Sequence, residues 1–245
     1  RNCVNMIREI KGYFWGNNDV PNKKDDHALD ELRYYIMSRP ENKEKEFSHP
    51  DQSDQKRLVT DIFQNVRFTE EDLELLTSKL ELIELRKGAS LLRAGEKVTD
   101  QYYVVSGCLR TYFIDDVGKE HTMQFAIYDW WISDYTAFFV CGKAILTIET
   151  IQNSLLFRLS KSNMDELLNK IPALETFFRK KMEGAFAAFQ KRILSNLSQS
   201  ASERYSQFLE SYPNIEQQVK NYHIASYLGI TTESLSRIRK ELFEH

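Results

Sequence analysis

The stretch Tyr222-His-Ile-Ala-Ser-Tyr-Leu-Gly-Ile-Thr-Thr-Glu-Ser-Leu-Ser-Arg-Ile-Arg-Lys-Glu-Leu242 decides how this chain is read. Ile224, Ala225 and Leu228 give a first short helix an apolar face. Gly229 supplies the left-handed conformation that a tight turn between helices requires. Ile230 then plugs the angle between the helices. Thr231 or Thr232 caps a second helix whose Leu235, Ile238 and Leu242 face inward at spacings of three and four. This order of small residue, glycine, isoleucine and threonine cap is the sequence form of a helix-turn-helix. The inward set leaves Thr232, Glu233, Ser236, Arg237 and Lys240 on the outer face. Such a face suits a major groove: arginine forks to guanine, glutamate accepts from cytosine N4, and hydroxyls hold phosphates. With the helix start included, the expected DNA-binding set is Thr231, Thr232, Glu233, Ser234, Ser236, Arg237 and Lys240. The competing reading is a plain helical hairpin with a solvated polar face.

Upstream, the periodicity changes twice. From Leu58 to about Leu85 two short helical patterns occur, the second opened by Thr69 as N-cap before Glu70, Glu71 and Asp72. From Leu80 to Leu159 short apolar runs alternate with turn signals. Leu80–Leu85, Tyr102–Val105, Leu109–Ile114, Met123–Ile127, Ile145–Ile151 and Leu155–Leu159 read as strands. Five of the nine glycines fall in this stretch, and Ser106-Gly107 and Asp115-Asp-Val-Gly118 mark turns within it. Short strands with regular turns predict a closed antiparallel β roll. Beyond Ser160 the helical period returns: Lys161–Lys170 is a short helix and Pro172 opens a longer one. In the longer helix Phe178, Met182, Phe186, Phe189, Ile193 and Leu197 recur every three or four residues. That seam is expected to pair with its copy in a homodimer, the alternative being an ordinary core-facing stripe. Residues 201–213 form one further helix, ended by Pro213.

The expected fold class is therefore α+β: an antiparallel β roll of jelly-roll type, a long dimerisation helix and a C-terminal helix-turn-helix. The segments are 1–57 (an extension and polar linker with a helix near 26–37), 58–170 (the roll), 171–198 (the dimerisation helix) and 199–245 (the helix-turn-helix domain). The net charge of −3 is uneven. Residues 1–57 balance to zero, 58–160 carry −5, and 161–218 and 219–245 carry +1 each. A tail-driven or bulk-cationic nucleic-acid binder is excluded, and DNA affinity would rest on few directed contacts. Three scattered cysteines (Cys3, Cys108 and Cys141) with no CxxC pair predict no disulfide scaffold, no iron–sulfur cluster and a reducing, cytoplasmic setting. The five histidines show no metal-binding spacing, so no metal site and no cofactor are expected. No apolar run reaches ~18 residues, so no membrane span is expected. The chain begins at Arg1 rather than methionine, as a processed chain or fragment does.

On these residues, positions ~58–245 resemble the Crp/Fnr family of bacterial transcription regulators, most specifically through Ile224–Arg237. Ser202-Glu-Arg-Tyr205 and Phe208-Leu-Glu-Ser-Tyr-Pro213 resemble its Bacteroidetes-type members. The resemblance implies a cyclic-nucleotide-binding-like effector domain and a non-enzymatic homodimer on a pseudo-palindromic operator. RNA polymerase would be a further partner. It places Glu233, Ser236 and Arg237 at the family's base-reading positions and implies a TTGA-like half-site, while Thr232 departs from members that carry arginine there. Family members often continue into a β wing, so the end at His245 implies a wingless or truncated form. Members that bind cyclic AMP use a Gly-Glu pair and an Arg-Ser or Arg-Thr pair. Here Ser133-Asp134 and Ala144-Ile145 stand in those places, and no arginine lies between Arg110 and Arg158. Without a guanidinium to offset desolvation of a cyclic phosphate, no cyclic-nucleotide binding is expected. Another small-molecule effector would meet Trp131, Ser133, Asp134, Tyr135 and Lys143, the alternative being that the aromatics are simply core.

Lys24-Asp-Asp-His-Ala-Leu-Asp-Glu-Leu-Arg-Tyr-Tyr-Ile-Met37 carries a second resemblance, to the C-terminal end of phage large-terminase nucleases. Asp26 and Asp30 would stand as metal-binding carboxylates, yet the strands that would supply the other carboxylates are absent. Two alternatives to a DNA-binding regulator follow: a terminase-derived magnesium-dependent nuclease, and a ligand-sensing dimer whose helix-turn-helix makes only protein contacts. Magnesium-dependent cleavage lost on Asp30→Ala would support the first, and strong salt dependence of operator binding would argue against the second.

Overall fold

In the computed structural model, residues 51–64 and 66–243 are described. The expected helix near 26–37 lies outside them. Asp51 accepts the Asp54 amide and starts α1 (Gln52–Ile62), so the helix begins inside the stretch read as polar linker. Its N-cap, which hydropathy does not register, sets that start. Thr69 caps α2 (Glu70–Lys79) in a reciprocal box: Thr69 Oγ1 accepts the Asp72 amide at 3.1 Å and Asp72 Oδ2 accepts the Thr69 amide at 2.9 Å.

Eight strands follow: β1 (Glu81–Leu85), β2 (Ser90–Leu92), β3 (Asp100–Ser106), β4 (Leu109–Ile114), β5 (Glu120–Ala126), β6 (Trp131–Ile132), β7 (Thr147–Thr150) and β8 (Ser154–Ser160). They form two antiparallel four-stranded sheets, ordered β1-β8-β3-β6 and β2-β7-β4-β5. The expected roll and its mixed α and β class are thus present. Periodicity missed β2 and β6, which are too short to show a period. The run read from Ile145 pairs only from Thr147, and Ile145 is exposed. β5 starts three residues before its apolar run, because Glu120, His121 and Thr122 pair with β4 across the hairpin. Between the sheets Val104, Leu109, Ile132, Phe138, Ile148 and Leu156 are almost wholly removed from water. At ~1.5–3 kcal/mol per large apolar side chain, this interior is the roll's main stabilising term.

Gly107 shows why the chain needs glycine between β3 and β4. Its φ is +95°, and a Cβ there would lie 2.3 Å from Ser154 Oγ and 2.6 Å from the Asn153 carbonyl oxygen.

After β6 comes the single helical turn α3 (Tyr135–Phe138), and after β8 come α4 (Lys161–Lys170) and α5 (Ala173–Ser198). With 26 residues, α5 is about 39 Å long. Its first turns are buried against α1, α2 and the first sheet: Leu174, Phe177 and Phe178 share a cluster with Phe63, Leu76 and Phe157. Phe178 therefore belongs to this chain's own core rather than to a seam facing a second copy. Its ring lies 5.3 Å from Trp131 and 6.1 Å from Phe63. Further along, Met182, Phe186, Phe189, Ile193 and Leu197 are exposed, Phe186 at 65 % and Leu197 at 80 %.

The chain ends in α6 (Ala201–Ser211), a 3₁₀ turn (Ile215–Gln217), α7 (Asn221–Leu228) and α8 (Thr232–Phe243). Their shared core contains Tyr205, Phe208, Tyr212, Ile224, Leu228 and Leu235 and extends to Phe125 and Cys108 of the roll. This explains β4, whose residues Leu109 to Tyr112 are all buried although they include Arg110 and Thr111. Leu109 faces the roll interior, while Arg110 and Tyr112 are covered on the other side. No helix among the described residues is long and apolar enough to cross a membrane.

Candidate nucleic-acid interface

The unit α7–turn–α8 is built by backbone chemistry at Gly229, whose φ is +68°. The Gly229 amide donates to the Ser226 carbonyl at 3.3 Å and the Ile230 amide donates to the Ala225 carbonyl at 3.0 Å. These are the two bonds of a Schellman stop, which requires the left-handed residue. Of the two candidate caps, Thr231 closes α8: its Oγ1 accepts the Ser234 amide at 3.2 Å and its carbonyl accepts the Leu235 amide at 3.0 Å. Leu235 and Ile238 are buried. Leu242 is 42 % exposed, against the inward position expected of it, because the packed core ends a turn earlier at Ile238.

Of the seven expected contact residues, Thr231, Glu233, Ser236, Arg237 and Lys240 are exposed, while Thr232 and Ser234 are half-buried. The Glu233 carboxyl is held below its usual range by its own backbone amide and by the Thr231 and Thr232 hydroxyls. It is therefore an anionic acceptor at neutral pH. Ser236 Oγ donates to the Thr232 carbonyl at 3.0 Å, leaving its lone pairs to accept.

Residues outside the expected set hold this face in place. Arg204 of α6 donates to the Leu228 carbonyl at 3.2 Å and to the Gln199 carbonyl at 2.8 Å, capping the end of α7. Ser226 of α7 binds the edge of β5 from both sides. Its Oγ accepts the Thr122 amide and donates to the Glu120 carbonyl, both at 2.9 Å. Arg192 of α5 lies 4.0 Å over the Tyr227 ring and donates to the carbonyls of Met123, Thr122 and Tyr227. One arginine thus ties the long helix to the roll and to the first helix of the motif. None of these three roles has a sequence signal, because each depends on which backbone edge comes near.

Beside this junction Arg110 is buried, with Nη2 2.6 Å from Glu149 and 2.7 Å from Glu120, and its guanidinium lies 4.0 Å over Tyr112. Arg110 lines a cleft of about 180 Å³ with Tyr222, Ser226 and Thr232. His223 is buried nearby. Burial pushes its pKa down to about 4, assisted by the charges of Arg110 and Lys220.

Four of the five expected effector residues are engaged by the roll's own groups, and the fifth faces solvent. Trp131 packs against Tyr103 and Phe178, at 5.4 and 5.3 Å between rings. Ser133 Oγ donates to the Asp100 carbonyl at 2.8 Å, and the Tyr135 hydroxyl donates to Gln101 Oε1 at 3.3 Å. Asp134 is wholly buried and saturated. One of its oxygens accepts the Ile145 and Leu146 amides at 2.8 and 3.0 Å, and the other accepts the Thr136 amide at 3.1 Å. Lys143 is exposed. Trp131 and Tyr135 are half-buried and pack against the core clusters of the roll.

The described residues thus form a β roll joined through a long helix to a helix-turn-helix. Comparison with known proteins agrees with this architecture. Residues 82–171 match the cyclic nucleotide-binding domain family. The chain is 24% identical over 167 residues to the fumarate and nitrate reduction regulatory protein of Salmonella typhi, covering 63% of this chain and 65% of that protein. The match thus spans about two thirds of the curated relative. Among solved structures, FixK2 from Bradyrhizobium japonicum superposes with a TM-score of 0.59 at 18% identity, over 67% of this chain and 85% of that one. A CooA mutant from Carboxydothermus hydrogenoformans gives 0.58 at 15% identity, over 76% and 84%. The terminase resemblance of residues 24–37 finds no support in these comparisons, and those residues lie outside the described part.

Proposed function

We propose that this chain is a dimeric, sequence-specific DNA-binding transcription regulator of the Crp/Fnr type. The observation that carries the reading is α8: its apolar side is buried in a helix-turn-helix core while Glu233, Ser236 and Arg237 stand exposed on the other side. These are the residue types that read base edges, and the N-terminal part of such a helix enters the major groove. Thr231, Thr232, Ser234 and Lys240 complete the contact set. Dimerisation runs along α5 through Met182, Phe186, Phe189, Ile193 and Leu197, an apolar face too long to leave in water. Phe178 is left out of that set. The matched relative is itself a regulatory protein, which favours a regulator over a protein-contact module.

The roll responds to an effector other than a cyclic nucleotide. Two observations favour this. Arg110 is committed to Glu149 and Glu120, and Asp134 places a carboxylate on the amides of residues 145 and 146. A second anion there would be repelled and would have no guanidinium to meet it.

Selection of bound DNA from a random pool by the full chain, with and without cell extract, tests the reading. The expected product is a two-fold sequence with TTGA-like half-sites about one helical turn apart. Arg237→Ala should cost ~1–3 kcal/mol of operator affinity. Failure to enrich any sequence, or undiminished binding by that variant, refutes the assignment, and low-micromolar calorimetric binding of cyclic AMP or cyclic GMP refutes the effector reading.

A further inference from the structure

α8 carries two arginines, two positions apart. Arg237 is exposed, whereas Arg239 is half-buried in a polar junction of four elements. Its Nε donates to the Tyr205 hydroxyl of α6 at 3.0 Å, and its Nη1 donates to Asn221 Oδ1 at the start of α7 at 2.7 Å. Its Nη2 lies 2.5 Å from Glu216 Oε1 of the 3₁₀ turn. The Tyr205 hydroxyl in turn donates to the Glu216 carboxylate, and Tyr205 is fully buried.

We infer that Arg239 is a positioning residue for DNA reading: it fixes the rotation of α8 about its own axis and so aims Arg237. Two residues along a helix turn the side chain by ~200°, so the arginines project to opposite sides. With side chains reaching ~5–6 Å from the axis, a rotation of ~20° would carry the reading end of Arg237 by about 2 Å. That displacement breaks a bidentate contact to guanine, whose two bonds need fixed directions. A guanidinium gripped along three directions resists such rotation, and a lysine, a point donor on a flexible stem, does not. The charge of Arg239 is met by Glu216, so it supplies no phosphate contact. This inference rests on the reading of α8 as the DNA-entering helix.

The test uses the full chain and its Arg239→Lys variant, with Asn221→Ala as the milder change that removes one of the three anchors. Binding is measured to the duplex selected by the wild-type chain and to a scrambled duplex, over a range of salt, with thermal melting monitored alongside. Arg239→Lys is expected to weaken operator binding about tenfold, one misdirected base contact, while scrambled-duplex binding and the salt slope stay unchanged. Asn221→Ala should act in the same direction and less, and it carries the test if Arg239→Lys fails to fold. A salt slope reduced by about one phosphate, or equal loss on both duplexes, makes Arg239 a backbone contact and overturns the inference. Operator binding equal to wild type also overturns it. If the wild-type chain selects no duplex, the DNA-binding reading itself falls and the role of Arg239 with it.

Discussion

Lowering the pH should loosen the helix-turn-helix through one side chain, His223. It sits in the first turn of α7, 6 % exposed, with Arg110 and Lys220 as the charges acting on it. The helix start adds its own positive potential. Burial first, then the charges of Arg110 and Lys220, disfavour the imidazolium, and the pKa falls from 6.5 to about 4. The unfolded chain therefore binds a proton at His223 between these two values and the folded chain does not. Stability is full above pH 6.5 and is lost as the pH falls from there toward 4. Between pH 7 and pH 5 the linkage integral comes to about 2 kcal/mol. The comparison is His223→Gln against wild type in urea denaturation at both pH values, followed by Trp130 and Trp131 fluorescence. Other groups titrate in both proteins and cancel in the difference. Wild type should lose about 2 kcal/mol more than the variant, or several degrees of melting temperature. Equal pH dependence in the two proteins, or an imidazole that titrates at 6.5 or above by NMR in the folded chain, refutes the reasoning.

Gly107→Ala should cost about 3 kcal/mol, combining a left-handed backbone with a Cβ forced onto Ser154 and the Asn153 carbonyl. A loss below ~1 kcal/mol in chemical denaturation would mean the β3–β4 turn relaxes freely. Phe186→Glu places a charge on the exposed face of α5, and sedimentation should show a monomer where wild type is a dimer. A variant that stays dimeric places the seam elsewhere.

Much of the fold was legible in the sequence because its signals are local. Thr69 before an acidic turn, Gly229 before Ile230, and β4 between two turn glycines each specify a backbone conformation within a few residues. The outward face of α8 was legible for the same reason, since the spacing of Leu235 and Ile238 leaves its other side in water. Phe178 and Leu242 were misplaced by that same periodicity. It says which residues share a face and is silent on where the neighbouring surface stops.

The sequence by itself determined the order of the longer elements, the helix-turn-helix and the residues that face outward from it, because capping, left-handed glycine and helical period act over one or two turns. Only the tertiary structure decided which polar groups are spent inside the protein. Arg110, Arg192, Arg239 and Ser226 look like surface residues in sequence, yet each bonds to partners tens of residues away. A polar group's role is set by the donor or acceptor the fold brings within about 3 Å, and no local pattern encodes that distance.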